Sequence, residues 1–160
     1  MSQTGRTSNG PVPASWVAEQ VLHLRGSMGL PTTPMQLLKL VYLCQGWMLA
    51  MYDKPLINEP VEAWQHGPVI PSVYHLYKSF RGDPINTGGN DQGVRLTKEH
   101  RHVIDEVLKV YRDYSSADLY ALAHRKGTPW DQVHEDGVFG IEIPEGVIRD
   151  YYKNLQPYAK

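Results

Sequence analysis

The most continuous apolar stretch of the chain runs from Leu37 to Tyr52 and predicts a buried helix. Apolar side chains occupy almost every angular position around this helix, so other helices must enclose it. Just before it, Thr33 can cap a helix, Pro34 suits the first helical position, and Gln36 can return a hydrogen bond from the third. The pattern therefore predicts an enclosed helix at the centre of the fold.

Shorter amphipathic segments lie on both sides of this central segment. Helices are expected to start near Ser15, Pro71, Thr97, Ser115 or Ser116, Thr128 and Pro144. Ile57, Val61 and Ala63 can form a short strand, after which Gly67-Pro68 is expected to turn the chain. The sequence thus predicts a mainly α fold. It is a compact single-domain bundle of six or seven helices around a buried central helix, with at most a short β-hairpin.

Two polar segments interrupt this pattern. Residues 1–14 are rich in Gly, Ser, Thr and Pro, so we expect a disordered or loosely ordered tail there. Residues 15–160 then form the helical domain. The segment from Gly82 to Gly93 holds four glycines and no large apolar residue except Ile85, so we expect an exposed, mobile loop.

The charge balance argues against a nucleic-acid groove as the main binding site. Sixteen Lys and Arg residues stand against seventeen Asp and Glu residues, and the net charge is −1. The basic residues are scattered along the chain, whereas a groove that follows phosphates needs them clustered. Nucleic acid is therefore not expected as the main partner.

The compartment follows from the cysteine count and the first residues. The single cysteine, Cys44, cannot form an internal disulfide, and residues 1–10 lack the apolar core of a signal peptide. The apolar stretch from Leu37 to Tyr52 is shorter than a membrane span and contains Lys39. We expect a cytoplasmic protein without a membrane partner.

Candidate catalytic and metal-binding residues are few and poorly spaced. His100 and His102 lie two positions apart on a predicted helix, hence on different faces, so we expect both to be solvated. Cys44 lies in the apolar central segment, where a packed, inert thiol is expected. The sequence has no zinc-protease, phosphate-loop or hydrolase motif. It predicts no catalytic, metal or cofactor site.

Lys39 is a charged residue in an otherwise apolar helix. It should reach solvent or meet a carboxylate, with Glu62 as one candidate. If Lys39, Gln45, His66 and His124 converged, they would instead form a small polar pocket. The sequence alone does not bring these four residues together.

The segment around Gly67-Pro68 combines a tryptophan and a histidine. Trp64 and His66 lie two positions apart, so in a strand they share a face. We expect a core tryptophan beside a hydrogen-bonded histidine, with a binding role as the alternative.

Two blocks of the sequence resemble a known family. The first, LLKLVYLCQGWMLAMYDKPLINEPVEAWQHGPVIPSVYHLYK, spans Leu37 to Lys78, and the second, SSADLYALAHRKGTPW, spans Ser115 to Trp130. Together they are similar to the SocA-type antitoxin domain, also called the Panacea domain, a bacterial family that includes phage-associated proteins of prophages. The motif residues are Lys39, Tyr42, Gln45, Trp64, His66, Gly67, Pro68, Val69, Tyr74, His124 and Trp130.

This resemblance implies a helical domain that neutralises a protein toxin encoded nearby by binding it directly, without catalysis or a cofactor. For the founding member it also implies an adaptor role that hands the toxin to an ATP-dependent protease. The motif residues would then be structural or partner-binding.

Exposed tyrosines would suit a toxin-binding surface, because aromatic anchors carry a large share of interface energy. The enclosed central helix and the Gly82 to Gly93 loop offer poor anchors. We therefore expect the partner surface among the exposed members of one set of residues. That set is Tyr74, Tyr77, Tyr151, Tyr152 and Tyr158.

Two other function classes remain as alternatives. A DNA-binding autoregulator of a toxin–antitoxin or prophage operon is compatible with a helical fold, although the neutral charge balance disfavours it. An enzyme that uses Lys39, His66 and His124 is a weaker alternative. It would require these side chains to meet in one cleft.

Overall fold

A computed structural model describes residues 10–155 of the chain. This part contains seven α-helices and one three-stranded sheet, which confirms the mainly α fold class. The helices are α1 (Ala14–Ser27), α2 (Pro34–Tyr52), α3 (Pro71–Tyr77), α4 (Lys98–Val110), α5 (Ser116–His124), α6 (Pro129–Val133) and α7 (Glu145–Asn154). The strands are β1 (Val61–Trp64), β2 (Gly67–Val69) and β3 (Ile141–Ile143). Two short 3₁₀ helices, Lys78–Phe80 and Gly93–Arg95, lie between α3 and α4.

Helix α2 is the enclosed centre of the bundle, as its apolar pattern predicts. Every residue from Leu37 to Ala50 is buried, and α1, α4, α5 and α7 pack around it. Its start follows the predicted capping box, in which Thr33 and Gln36 exchange side-chain and backbone hydrogen bonds. Gly46 lets α7 approach closely, because a Cβ there would lie 2.7 Å from the Tyr152 ring.

Side-chain caps also start three of the outer helices. Thr97 caps α4, Ser115 caps α5 and Thr128 caps α6, each by accepting a hydrogen bond from the third residue after it. These starts agree with the sequence pattern, since a cap and its partner are close neighbours along the chain.

The sheet has the order β2-β1-β3 with antiparallel pairing throughout. Trp64 pairs with Gly67, so the turn between β1 and β2 consists of Gln65 and His66. The prediction that Gly67-Pro68 forms the turn is therefore wrong by two residues. Gly67 instead begins β2 with φ +114°, a conformation that residues with a side chain rarely adopt.

The packed domain includes residues before residue 15, and residues 1–9 of the expected tail lie outside the described residues. Val12 is buried, and its backbone exchanges hydrogen bonds with Leu56 and Asn58. The Ala14 amide donates to the Glu59 carboxylate at 2.9 Å. These contacts place Val12 to Ala14 in the packed domain rather than in the expected tail.

The segment from Gly82 to Gly93 is largely exposed, but it is tied to the rest of the molecule. The Ile85 amide donates to the Thr32 carbonyl at 2.8 Å, and the Asn90 amide donates to the Glu19 carboxylate at 2.7 Å. A further amide, that of Gln92, donates to the Gln20 side chain. The loop that is expected to be mobile is thus anchored on α1 and on the segment before α2.

None of the helices in residues 10–155 is long and apolar enough to cross a bilayer.

Candidate functional site

Lys39 lies under the β1–β2 hairpin and holds it from below. Its ammonium donates to the carbonyl oxygens of His66 at 3.1 Å and Pro68 at 3.2 Å, and the residue is only 1% exposed. Lys39 therefore takes neither expected route, to solvent or to Glu62. Two carbonyl dipoles replace part of the lost hydration, and the remaining desolvation lowers the pKa of Lys39 to about 8.

The hairpin approaches α2 and α5 closely at Gly67. A Cβ on this residue would lie 2.8 Å from both the Lys39 Nζ and the His124 Cε1. No side chain of normal size fits between these groups without moving them. Gly67 therefore brings the lysine of α2, the histidine of α5 and the hairpin backbone together.

His124 is fixed in orientation by its own helix and by aromatic neighbours. Its Nδ1 lies 2.8 Å from the Tyr120 carbonyl oxygen, which can only accept, so Nδ1 carries the proton. The ring stacks on Tyr120 at 3.9 Å between centroids and meets Trp130 at 4.3 Å. Burial lowers the pKa of His124, and the nearby Lys39 charge adds to this effect.

Trp130 joins α6 to the hairpin. Its Nε1 donates to the Trp64 carbonyl oxygen at 2.6 Å, and its ring stacks on His134 at 4.4 Å between centroids. The ring is partly buried rather than exposed. The motif residue Trp130 therefore positions the end of β1 against the α5–α6 region.

The polar pocket envisaged from the sequence forms only in part. Lys39, His124 and the backbone of His66 meet at the hairpin, but the His66 ring is exposed. Gln45 lies elsewhere, where its side-chain oxygen accepts from the amides of Leu56 at 2.8 Å and Ile57 at 3.2 Å. The observed arrangement is a support for the hairpin backbone.

Trp64 is half-buried, so the expected core tryptophan beside a hydrogen-bonded histidine is corrected. Its Nε1 donates to the Glu62 carboxylate at 2.8 Å, and its ring packs edge-on to Tyr74. Phe139 covers the ring from the β3 side at 5.0 Å between centroids and is itself 76% exposed. Because His66 lies in the turn, the period of two does not continue from Trp64 to it.

Most of the tyrosines expected on the partner surface are not accessible anchors. Tyr77 and Tyr152 are buried in the core, and Tyr74 and Tyr151 are half-buried. Tyr158 lies outside the described residues. Among the tyrosines of residues 10–155, Tyr120 is the exposed one, with 37% of its surface accessible.

Tyr120 therefore replaces the expected tyrosines, and it lies beside the hairpin turn. Its ring centroid is 6.3 Å from that of His66. We call Gln65, His66 and Tyr120 the hairpin-tip surface. A sequence signal existed, since Tyr120 is four residues before the motif histidine and shares its side of α5.

Tyr42, Pro68 and Val69 of the motif are buried. Tyr42 is buried in α2 and meets the Tyr152 ring edge-on at 6.1 Å between centroids, and burial raises its pKa. Pro68 and Val69 are buried in β2. Val69 pairs with Glu62 on β1.

The sequence predicts a buried Cys44 and a solvated His100. Cys44 is fully buried, and burial raises the pKa of its thiol, as expected for an inert residue. His100 is also fully buried, and its Nδ1 accepts from the Thr97 amide as part of the α4 cap. Its expected solvation is therefore wrong, and burial lowers the pKa of His100. Within residues 10–155, no group of three or more potential ligands is placed to hold a metal ion.

Comparisons with known proteins show which family shares these residues. The family model described as Antitoxin SocA-like, Panacea domain matches residues 37–131, which include most of α2, the hairpin, α5 and Trp130. The chain is 27% identical over 156 residues to Antitoxin SocA of Caulobacter vibrioides (strain NA1000 / CB15N), covering 89% of this chain and 83% of that protein. No solved structure gives a significant match. Since the model covers more than half of the chain, including the residues that position the hairpin, the protein belongs to the SocA-like antitoxin family with a Panacea domain.

Proposed function

We propose that this protein neutralises a toxin by binding it directly, with the hairpin-tip surface as the anchor. The observation that carries the proposal is the position of the family-motif residues. Lys39, His124 and Trp130 hold the hairpin and α5 from below, and the tip residues stand above them, open to solvent. Buried and half-buried residues thus fix the position of an exposed surface, which is what a protein-binding site needs.

The tip is suited to protein recognition because its aromatic ring is held in place before binding. The Tyr120 ring stacks on His124, and the His124 ring is fixed by a hydrogen bond to the Tyr120 carbonyl. A ring that is already ordered loses less conformational entropy on association. Tyrosine is also among the residues that most often carry interface energy.

The same geometry supports a mechanism without catalysis. The Lys39 ammonium is directed at two backbone carbonyls, and the Cys44 thiol is buried with a raised pKa. Neither group is placed to attack a bound molecule. We infer that inhibition needs only a complementary toxin surface.

The test uses the product of the reading frame adjacent to this gene as the toxin. Co-expression of this protein with the toxin should restore the growth of the host cells, and the two proteins should co-purify in a fixed ratio. Tyr120→Ala should weaken the complex by about 2 kcal/mol, or roughly thirtyfold in Kd, by isothermal titration. Val110→Ala, at an exposed apolar position of α4, is the control and should bind normally.

Two outcomes would contradict the proposal in different ways. Rescue of growth without a detectable complex, together with chemical modification of the toxin, would indicate an enzyme. Normal binding by folded Tyr120→Ala would keep direct binding but remove the tip from the interface.

The protease-adaptor role and the DNA-binding alternative stay predictions. The first requires that the toxin be degraded faster in the presence of this protein and an ATP-dependent protease. The second requires a salt-dependent mobility shift of the upstream DNA with a Kd below about 1 µM.

A further inference from the structure

An apolar groove lies between the start of α2 and α3 and shares no side chain with the hairpin-tip surface. It has a volume of about 340 Å³ and is formed by Met35, Leu38, Val73, Tyr74 and Tyr77 among others. Lys78 and Arg81 lie on its rim, and no carboxylate lines it. Glu19, which accepts a hydrogen bond from the Tyr77 hydroxyl, also accepts one from the Asn90 amide. The groove therefore favours an apolar side chain with acidic neighbours.

The segment between α6 and β3 has this chemistry. Glu135 and Asp136 are exposed there, and they are followed by Val138 and Phe139, which are 45% and 76% exposed. Two adjacent apolar side chains at this exposure, next to two carboxylates, form an acidic and apolar projection. We call residues 135–139 the acidic loop.

The acidic loop and the groove lie side by side on one face of the molecule. The Phe139 ring contacts Trp64 at 5.0 Å between centroids, and Trp64 contacts Tyr74 at 5.1 Å. Tyr74 forms part of the groove wall. One aromatic ring, that of Trp64, therefore separates the projection from the recess.

This arrangement suits a two-fold symmetric dimer. In such a dimer each copy offers the same patch, so a projection and its complementary recess must both belong to that patch. An axis near Trp64 would place each acidic loop over the groove of the other copy. The charges are complementary, because the two carboxylates of each acidic loop would lie near Lys78 and Arg81 of the other copy. The two-fold axis repeats this contact once in each direction.

We propose that the protein forms a homodimer in which Phe139 of each copy occupies the α2–α3 groove of the other. The carboxylates of Glu135 and Asp136 then face the cations on the groove rim. The two termini outside the described residues are poorer occupants, since residues 1–9 and 156–160 contain no Asp or Glu. The dimer is independent of the proposed toxin binding.

The experiment measures the mass of the purified full-length chain by sedimentation velocity from about 1 to about 100 µM. We expect a monomer–dimer equilibrium in this range that weakens when NaCl is raised from about 0.05 to about 0.5 M. Phe139→Ser should weaken the dimer at least about tenfold. Val110→Ser, at an exposed apolar position on α4, should not change it.

A charge exchange makes the test specific for the proposed pairing. The double variant Lys78→Glu with Arg81→Glu should be monomeric, and so should Glu135→Lys with Asp136→Lys. Mixing the two variants should restore a dimer, because each groove then meets a loop of opposite charge. All four substitutions are at exposed positions, and thermal unfolding checks that both variants are folded.

Three results would overturn the proposal. The first is a wild-type monomer at every concentration. The second is a dimer that is unchanged in Phe139→Ser or in either charge variant. The third is a mixture of the charge variants that remains monomeric although each is folded.

Discussion

Lys39 should make the stability of the protein depend on pH above neutrality. Burial lowers its pKa to about 8 from an ordinary value of 10.5. Between these two pH values the unfolded chain binds more protons than the folded chain, so stability rises with pH there. We expect the Lys39 contribution to the free energy of unfolding to increase by about 1.5 kcal/mol from pH 8 to pH 9.5.

Lys39→Met is the matched variant for this measurement, because it removes the titrating group and keeps much of the side-chain length. The Cys44 thiol loses its proton at a lower pH in the unfolded chain than in the folded chain, because burial raises its pKa. This effect lowers stability in the same pH window in both the wild type and Lys39→Met. The quantity to follow is therefore the difference between the two unfolding free energies from urea titrations. A difference that stays constant over this window would contradict a buried ammonium.

Trp130→Phe isolates one hydrogen bond of the frame. The smaller ring can keep much of the packing against His124 and His134, but it loses the donor to the Trp64 carbonyl. We expect the free energy of unfolding to fall by about 1 to 2 kcal/mol. Trp16→Phe, in a half-buried tryptophan stacked with Arg95, is the comparison. Equal losses in the two variants would show that the Trp130 bond contributes nothing.

Single residues differ in how far the sequence predicts their surroundings. Cys44 is predicted correctly because its apolar neighbours on the same helix already define a buried position. The acceptors of Lys39 are 27 and 29 residues away, and both are backbone carbonyls that any sequence would supply. His100 is three residues after the Thr97 cap, a spacing that could have indicated its role in the cap.

At the scale of the element, the β1–β2 hairpin depends on Gly67. Gly67→Ala would place a Cβ against Lys39 and His124 at a backbone φ of +114°, so we expect a loss of about 2 to 4 kcal/mol in stability. Gly82→Ala is the control, because a Cβ there has nothing within 4 Å. Its effect should stay within about 0.5 kcal/mol.

Chemical denaturation measures both glycine variants, and the His124 ring resonances report on the hairpin directly. We expect Gly67→Ala to shift these resonances and Gly82→Ala to leave them unchanged. A Gly67→Ala protein with wild-type stability would mean that the hairpin does not approach Lys39 and His124 as closely as described.

Elements whose signals are local are predictable from this sequence, and elements held by distant partners are not. The starts of α2, α4, α5 and α6 follow from caps that lie within three residues of their partners. By contrast, β3 is recognisable only through its pairing with β1. The Gly82 to Gly93 segment looks free because its anchor on Glu19 is 71 residues away.

At the scale of the whole molecule, the sequence predicts which segments are buried better than which surfaces face a partner. Tyr77 and Tyr151 are both on amphipathic helices, and only the packing of α3 and α7 decides how far each is exposed. The sequence pattern does not predict that Phe139 is exposed, since an apolar residue just before a short strand resembles a core residue. Surface identity therefore depends on tertiary contacts that no short sequence window contains.

The two proposed surfaces share no side chain, so substitutions in them should act independently. The hairpin-tip surface consists of Gln65, His66 and Tyr120, whereas the dimer uses the acidic loop and the groove with Lys78 and Arg81. Tyr120→Ala should therefore lower toxin affinity and leave the dimer constant unchanged. The Lys78→Glu, Arg81→Glu variant should lose the dimer and still rescue growth. Combining the three substitutions should give additive free-energy changes within about 0.5 kcal/mol. A coupling well above this value, measured by titration and sedimentation on the same folded variants, would mean that toxin and second copy compete for one surface.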